Sequence, residues 1–329
     1  MVTNLINKAS QPFVLDDYQV NVSVSVGISI SSRDSNCNDM IQNADTAMYR
    51  AKKQGHNNFE FFKAKMNELA FHRLMIQSSL REVIKDQRVI MNYQPKVLTE
   101  TKALLGAEAL VRFSHPELAK ISVFEIINLA EETALIVPLG EVIFREVCRQ
   151  IKQWLSMGIM NDSMSIAVNL SSKQLSQTGL IEMIESAIAE YQVNPKMIKL
   201  ELTESAVMSD RESDMKRLHQ LKEMGFSLSV DDFGTGYSSF GRLKDLPVQE
   251  IKIDRLFVKE LEFEPRDLAI CRGIIKMAQE LGLQVVAEGV ENQEQFDLLK
   301  SCGCDQIQGY FISRPVDAEA MAKYLREWP

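Results

Sequence analysis

The sequence predicts an α/β chain: a (β/α)8 barrel of the TIM-like kind, preceded by an incomplete α+β piece. Three observations carry that expectation. Short apolar runs recur from about Val89 onward, separated by longer amphipathic stretches, which is the rhythm of parallel βα units. Seven such runs plus one at 89–97 supply the number of strands that closes a barrel. The first sixty-odd residues keep a different rhythm and are too few to bury a core alone. A doubly wound open sheet is the alternative that rhythm by itself leaves open.

Taken in order, VNVSVSVGISI (20–30) alternates apolar and polar residues as a half-buried strand does. DMIQNADTAMYRAKKQG (39–55) places Met40, Ile41, Ala44, Ala47, Met48 and Ala51 near one helical face, and Gly55 offers a stop. NNFEFF (57–62) reads as a short closing strand, and Lys63 to Asp86 as a connecting helix. The expected divisions are an N-terminal fragment at 1–65, a helical linker at 66–77 and the barrel at 78–329. The barrel strands are expected at VIMNYQPKV (89–97), GAEALVRF (106–113), MSIAVNL (164–170) and MIKLELT (197–203). FSLSVDD (226–232), QEIKID (249–254), LQVVAEG (283–289) and DQIQGY (305–310) complete the set. Amphipathic helices such as 178–191 and 267–282 fill the gaps.

The composition narrows function before any motif does. A net charge of −8 argues against a general binder of nucleic-acid duplexes or membrane surfaces, which would present a basic face. An anionic ligand held through metal ions stays compatible with it. Five scattered cysteines make no disulfide framework, and CGC at 302–304 has no second cysteine pair or histidine to complete a metal site. A reducing cytoplasm is the expected setting. No apolar run approaches the ~20 residues a membrane span needs.

The ends of the runs carry the chemistry. Glu108, Asn169, Glu201, the pair Asp231–Asp232, Lys252, Asp254, Glu288 and Gln308 sit at or near them. In a parallel barrel those ends share one mouth. Five to six carboxylates, an amide and a lysine, with no histidine or cysteine, make an oxygen-donor set suited to Mg²⁺ or Mn²⁺. Such carboxylates would not all ionise together without a cation. Adjacent Asp231 and Asp232 can flank two ions about 3.5–4 Å apart, the spacing used in phosphodiester cleavage. Arg112 adds a fork matched to phosphate oxygens. Metal-assisted glycoside hydrolysis is the weaker reading, because most glycosidases use two carboxylates and need no metal.

Eight ordered motifs sharpen this: YQP (93–95), EALVRF (108–113), VNLSSKQL (168–175), ELTES (201–205), DDFGTGYSS (231–239), IKID (251–254), EGVE (288–291) and QGY (308–310). With them residues ~78–329 resemble the EAL-domain cyclic-di-GMP phosphodiesterases of bacteria. The resemblance implies that Glu108, Asn169, Glu201 and Asp231 hold one metal ion, and Asp231, Asp232 and Glu288 a second. Lys252, steadied by Asp254, would orient the attacking water, and Glu288 would serve as general base or as metal ligand. Gln94, Leu110, Arg112 and Gln308 would contact the dinucleotide, with Glu204 bracing the DDFGTG loop and Glu291 supporting. The implied reaction opens the ring to linear pGpG by in-line attack of a metal-activated water, in a homodimer formed through the EAL domain. A receptor that binds cyclic-di-GMP without cutting it is the alternative. The N-terminal piece, with SVGISI and ADTAMYRAKKQGHNNFEFF, resembles the end of a GGDEF diguanylate cyclase domain. It has no GG[DE]EF signature, so cyclase activity is not expected. A longer tandem protein, whose front could carry sensors or membrane spans, is the expected context.

Overall fold

The computed structural model describes residues 1–15, 18–31, 36–55, 57–208, 211–235 and 240–328. The chain divides into two compact units, Met1–Ser78 and Ser79–Pro329. Gly236, Tyr237, Ser238 and Ser239, the end of the DDFGTGYSS motif, lie outside the described residues.

In the first unit α1 (Val2–Ala9) precedes an antiparallel pair, β1 (Phe13–Leu15) and β2 (Tyr18–Val20). β3 (Ser25–Ile28) then pairs in parallel with β4 (Asn58–Phe61), with α2 (Cys37–Lys53) between them in sequence. The Asn36 side chain caps α2 by accepting the Asp39 N–H at 2.8 Å. Gly27 makes the packing possible, because a Cβ there would lie 1.9 Å from the Ala44 carbonyl of α2. The expected strand at 20–30 is therefore shorter, and the helix begins two residues early. α3 (Ala64–Asp86) follows.

The second unit is a closed eight-stranded barrel. Its strands are β5 (Ile90–Leu98), β6 (Leu104–Arg112), β7 (Ser165–Asn169), β8 (Ile198–Thr203), β9 (Ser227–Phe233), β10 (Glu250–Ile253), β11 (Gln284–Ala287) and β12 (Gln306–Gln308). The helices are α4 (Val123–Glu132), α5 (Ile136–Ser156), α6 (Ser172–Leu175), α7 (Leu180–Tyr191), α8 (Glu204–Val207), α9 (Glu212–Glu223) and α10 (Phe240–Leu243). α11 (Arg255–Val258), α12 (Pro265–Glu280), α13 (Gln293–Ser301) and α14 (Ala318–Arg326) complete them. One expectation is corrected. β5 runs antiparallel to both neighbours, β6 and β12, while the other pairs are parallel. Five residues join β5 to β6, too few for a parallel crossover but enough for a hairpin.

Strand alternation sorts the side chains into two faces. Ile166, Leu200, Leu228, Val230, Ile251, Val285 and Ile307 are buried against the helices, each worth about 1.5–3 kcal/mol. The intervening residues point to the barrel axis. The partners show this, since Lys96 on β5 reaches Glu250 on β10, two strands that are not neighbours. In YQP the Tyr93 ring meets Trp154 of α5 edge-on at 4.8 Å, and so Gln94 turns inward opposite Glu108. Gly106, at φ +143°, lets β6 approach β7, because a Cβ there would lie 1.8 Å from the Ser165 carbonyl.

Candidate active site

Seven strands and the end of β11 deliver predicted residues to one place. Lys252 of β10 is fully buried, and its Nζ lies 2.6 Å from Glu288, 2.7 Å from Glu201, 3.1 Å from Asp231 and 3.7 Å from Glu108. Four carboxylates from four other strands or strand ends thus surround one ammonium. Asn169 Nδ2 donates to Glu108 Oε1 at 2.8 Å, and Gln308 Nε2 to Glu108 Oε2 at 2.6 Å and to Gln94 Oε1 at 3.3 Å. Gln94 in turn donates to the Ser313 carbonyl at 3.2 Å.

The charges respond to this crowding. Burial disfavours the charge on Lys252, but Glu108, Glu201, Glu288 and Asp231 outweigh it and hold its pKa well above the ordinary lysine value. Burial pushes Glu201 up to about 7, with Lys252 opposing and Glu108 and Asp231 adding to the rise. Glu288 is raised well above the usual carboxylate value, by burial first and then by Asp231, Glu108 and Glu201 against the pull of Lys252. Asp232 rises to about 6 through burial, the Asp231 charge and a hydrogen bond with Asp254. Glu108 moves the other way, because Lys252, Gln308 and Asn169 outweigh its burial. One lysine does not satisfy this many carboxylates.

The donor set fits a hard cation. Asp231, Asp232 and Glu288 present oxygens within 4.8 Å of one another. Among the described residues, Glu201 Oε1 and Gln308 Oε1 are buried acceptors that receive no hydrogen bond. An orphaned buried acceptor is costly, and a cation supplies what it lacks. Every candidate donor is oxygen, as Mg²⁺ or Mn²⁺ prefer.

The loop after β9 is shaped for this place. Asp232 takes a left-handed backbone, φ +53°, and Gly234 another at φ +97°. Asp231 Oδ1 accepts the Asp232 N–H at 3.0 Å, and Glu204 Oε2 accepts the Gly234 N–H at 2.9 Å. Glu204, only 4 % exposed, thereby ties the loop to the end of β8. Glu204→Ala leaves that N–H without its acceptor, an expected loss of about 1–3 kcal/mol visible as a lower melting temperature. An unchanged melt would remove Glu204 from this role.

Asp254 requires a correction. It does not steady Lys252, whose partners come from the other strands. Its carboxylate caps α11 by accepting the Leu256 N–H at 2.7 Å, and it helps to raise the Asp232 pKa. The register shift between β9 and β10 at Ile251 and Ile253 brings the ends of the two strands together. Glu291 pairs with Arg255 at 2.5 Å, outside the carboxylate ring.

Two hollows flank the ring. One of about 210 Å³ is lined by Gln94, Glu108, Leu110, Arg255, Gln308 and Tyr310. The other, about 360 Å³, is lined by Leu110, Arg112, Phe124, Ile127, Asn169 and Asp232. Leu110 borders both, and the Arg112 guanidinium also donates to the Val111 carbonyl at 2.8 Å. Arg255 and Tyr310 had no role from the sequence. Their only signal was adjacency, since Arg255 follows IKID and Tyr310 closes QGY.

Comparison with known proteins follows the same division. Residues 77–315 match the EAL domain, and residues 1–58 match "Diguanylate cyclase, GGDEF domain". The bifunctional diguanylate cyclase/cyclic di-GMP phosphodiesterase MucR of Pseudomonas aeruginosa is 39% identical over 322 residues, 98% of this chain and 47% of that protein. The cyclic di-GMP phosphodiesterase PdeR of Escherichia coli is 34% identical over 329 residues, 100% of this chain and 49% of its own length. This chain thus spans about half the length of these relatives or less. Among solved structures, the PaMucR phosphodiesterase in complex with c-di-GMP is 40% identical with a TM-score of 0.71, over 75% of this chain and 99% of that one. The EAL enzyme Bd1971 bound to cAMP and cyclic-di-GMP gives 25% and 0.74, over 89% and 77%.

Proposed function

The chain belongs to the EAL-domain family, and on that premise we propose that it hydrolyses cyclic-di-GMP to linear pGpG. The observation that carries this reading is the ring itself, with four carboxylates converging on a buried ammonium between two hollows.

In this reading Glu108, Asn169, Glu201 and Asp231 hold one divalent ion, Mg²⁺ or Mn²⁺, and Asp231, Asp232 and Glu288 a second. When bound, such ions lower the pKa of water and offset charge on the phosphoryl oxygens. Lys252 Nζ keeps its proton and donates it as a hydrogen bond, which orients the attacking water. Glu288, 2.6 Å from that Nζ, is placed to take the water's proton. Gln94, Leu110, Arg112 and Gln308 hold the dinucleotide across the two hollows, with Arg112 on phosphate. Asp254 acts through Asp232 and the α11 cap.

The same proposal takes residues 1–65 as a non-catalytic GGDEF remnant, 66–77 as a linker, and the molecule as a homodimer in the cytoplasm. No helix among the described residues is long and apolar enough to cross a membrane.

The test is direct. Purified chain is incubated with cyclic-di-GMP and Mg²⁺ or Mn²⁺, and nucleotides are separated over time. Accumulating pGpG is expected. Tight binding with no product under either ion would replace the enzyme by a receptor.

A further inference from the structure

TIM-type barrels usually fill their interior with layers of branched apolar side chains. This one does not. Beneath the carboxylate ring, Glu250 accepts from Lys96 at 3.3 Å and closely from Lys199. Glu250, Lys96 and Lys199 are 0 %, 2 % and 7 % exposed as residues, so the trio is sealed inside the barrel. Burial opposes the Glu250 charge, but Lys96 and Lys199 outweigh it and hold its pKa at about 2.

The placement is regular. Lys199 lies two residues before Glu201 on β8, and Glu250 two before Lys252 on β10. On the antiparallel β5, Lys96 lies two after Gln94. Each member therefore shares the inward face of its strand with a residue of the ring, about 6.6 Å below it. Charge alternates along both β8 and β10, cation under carboxylate on one and carboxylate under cation on the other. A buried ion trio is a poor device for stability, since apolar residues of similar volume usually do as well or better. Its geometry relative to the ring suggests another purpose.

We propose that Lys96, Lys199 and Glu250 are positioning residues, a buried charged layer that sets the height and direction of Glu201 and Lys252 so that the carboxylates converge on one point. The layer touches neither substrate nor ion. It acts by fixing strands β5, β8 and β10 against each other and by opposing, one pleat below, the charge that each ring residue carries. This inference rests on the reading of the ring as a divalent-cation site.

The full chain is compared with K96M/K199M/E250L, which fills the layer with apolar groups, and with E250Q. The apolar variant is expected to melt cooperatively at or above the wild-type temperature. It is also expected to bind Mn²⁺ about tenfold more weakly in calorimetric titration, because the ligands are no longer held in place. Its kcat falls about tenfold while KM stays within about twofold. A folded apolar variant with wild-type Mn²⁺ binding and kcat overturns the proposal. Should it not fold, a crystal structure of E250Q decides: Lys252 Nζ is expected to move from its 2.7 Å and 2.6 Å contacts with Glu201 and Glu288, and unchanged contacts refute the positioning role. Failure of the wild type to bind Mn²⁺ would instead sink the metal reading, and the E250Q structure would still judge the layer.

Discussion

Glu108→Ala is expected to abolish the proposed turnover of cyclic-di-GMP while leaving the barrel folded. Glu108 is the hub of one side of the ring, accepting from Asn169 at 2.8 Å and Gln308 at 2.6 Å, with Lys252 Nζ 3.7 Å away. Truncation deletes a carboxylate from the proposed ion site and frees both amides to turn elsewhere. Metal stabilisation of developing charge is worth several kcal/mol, and a loss of about 4 kcal/mol is about a thousandfold in rate. The fall should appear in kcat, because Arg112 and Gln94, the residues proposed to hold the dinucleotide, are untouched. Stability changes in two opposing directions: the buried Gln308 amide loses a partner, and a repelling carboxylate is gone. The melting temperature should therefore move by only a few degrees, about 1 kcal/mol in a domain of this size. Rates of pGpG formation near wild type would take Glu108 out of the site. Glu108→Gln separates charge from shape, since it retains the side-chain volume and one acceptor yet lacks the anionic oxygen. It should be nearly as inactive.

Much of this architecture is legible in the chain because period-two alternation writes both faces of a strand into one string. LELT sets Glu201 on the face opposite Leu200 and Leu202, and all three are buried. The ring could be read because carboxylates at strand ends are hard to explain singly. What stayed hidden depends on direction and depth. Apolar rhythm is the same for a parallel and an antiparallel strand, so β5 announced its position but not its orientation. The clue was the five-residue connection to β6. The layer of Lys96, Lys199 and Glu250 was equally present in the sequence. Its members lie near the ends of their strands, Lys96 late in β5 and Lys199 and Glu250 at the starts of β8 and β10, where a charge reads as an exposed boundary rather than an interior group. Asp254 misled for a related reason: two residues from Lys252, it shares a strand face, yet the chain enters α11 there and the carboxylate caps the helix instead.

Lys252→Met should destabilise the chain in the absence of divalent ions, and by an amount that grows with pH. Lys252 is the shared cation of Glu108, Glu201, Asp231 and Glu288, and it is fully buried. Methionine fills the space and leaves the carboxylates facing each other without compensation. Removing one partner of a buried ion pair costs about 3–5 kcal/mol. The carboxylates can lessen that cost by taking up protons. Glu201 already stands at about 7 and Glu288 well above its ordinary value, and both rise further once the ammonium is gone. A carboxyl whose folded pKa exceeds its unfolded value of about 4.3 contributes stability below that value and loses it as pH climbs through the folded one. The variant should thus approach the wild type near pH 5 and fall furthest behind near pH 8, as read from urea midpoints at constant m. Mn²⁺ should close the gap at pH 8, since an ion bound only to the folded ring stabilises it by mass action. A gap that is constant from pH 5 to 8 would mean that Lys252 neutralises nothing the protons could neutralise in its place, and the ring would have to be held together by hydrogen bonds alone. Turnover should stay absent even with Mn²⁺ present, because the ion restores charge balance to the fold but not the donor proposed to orient the attacking water.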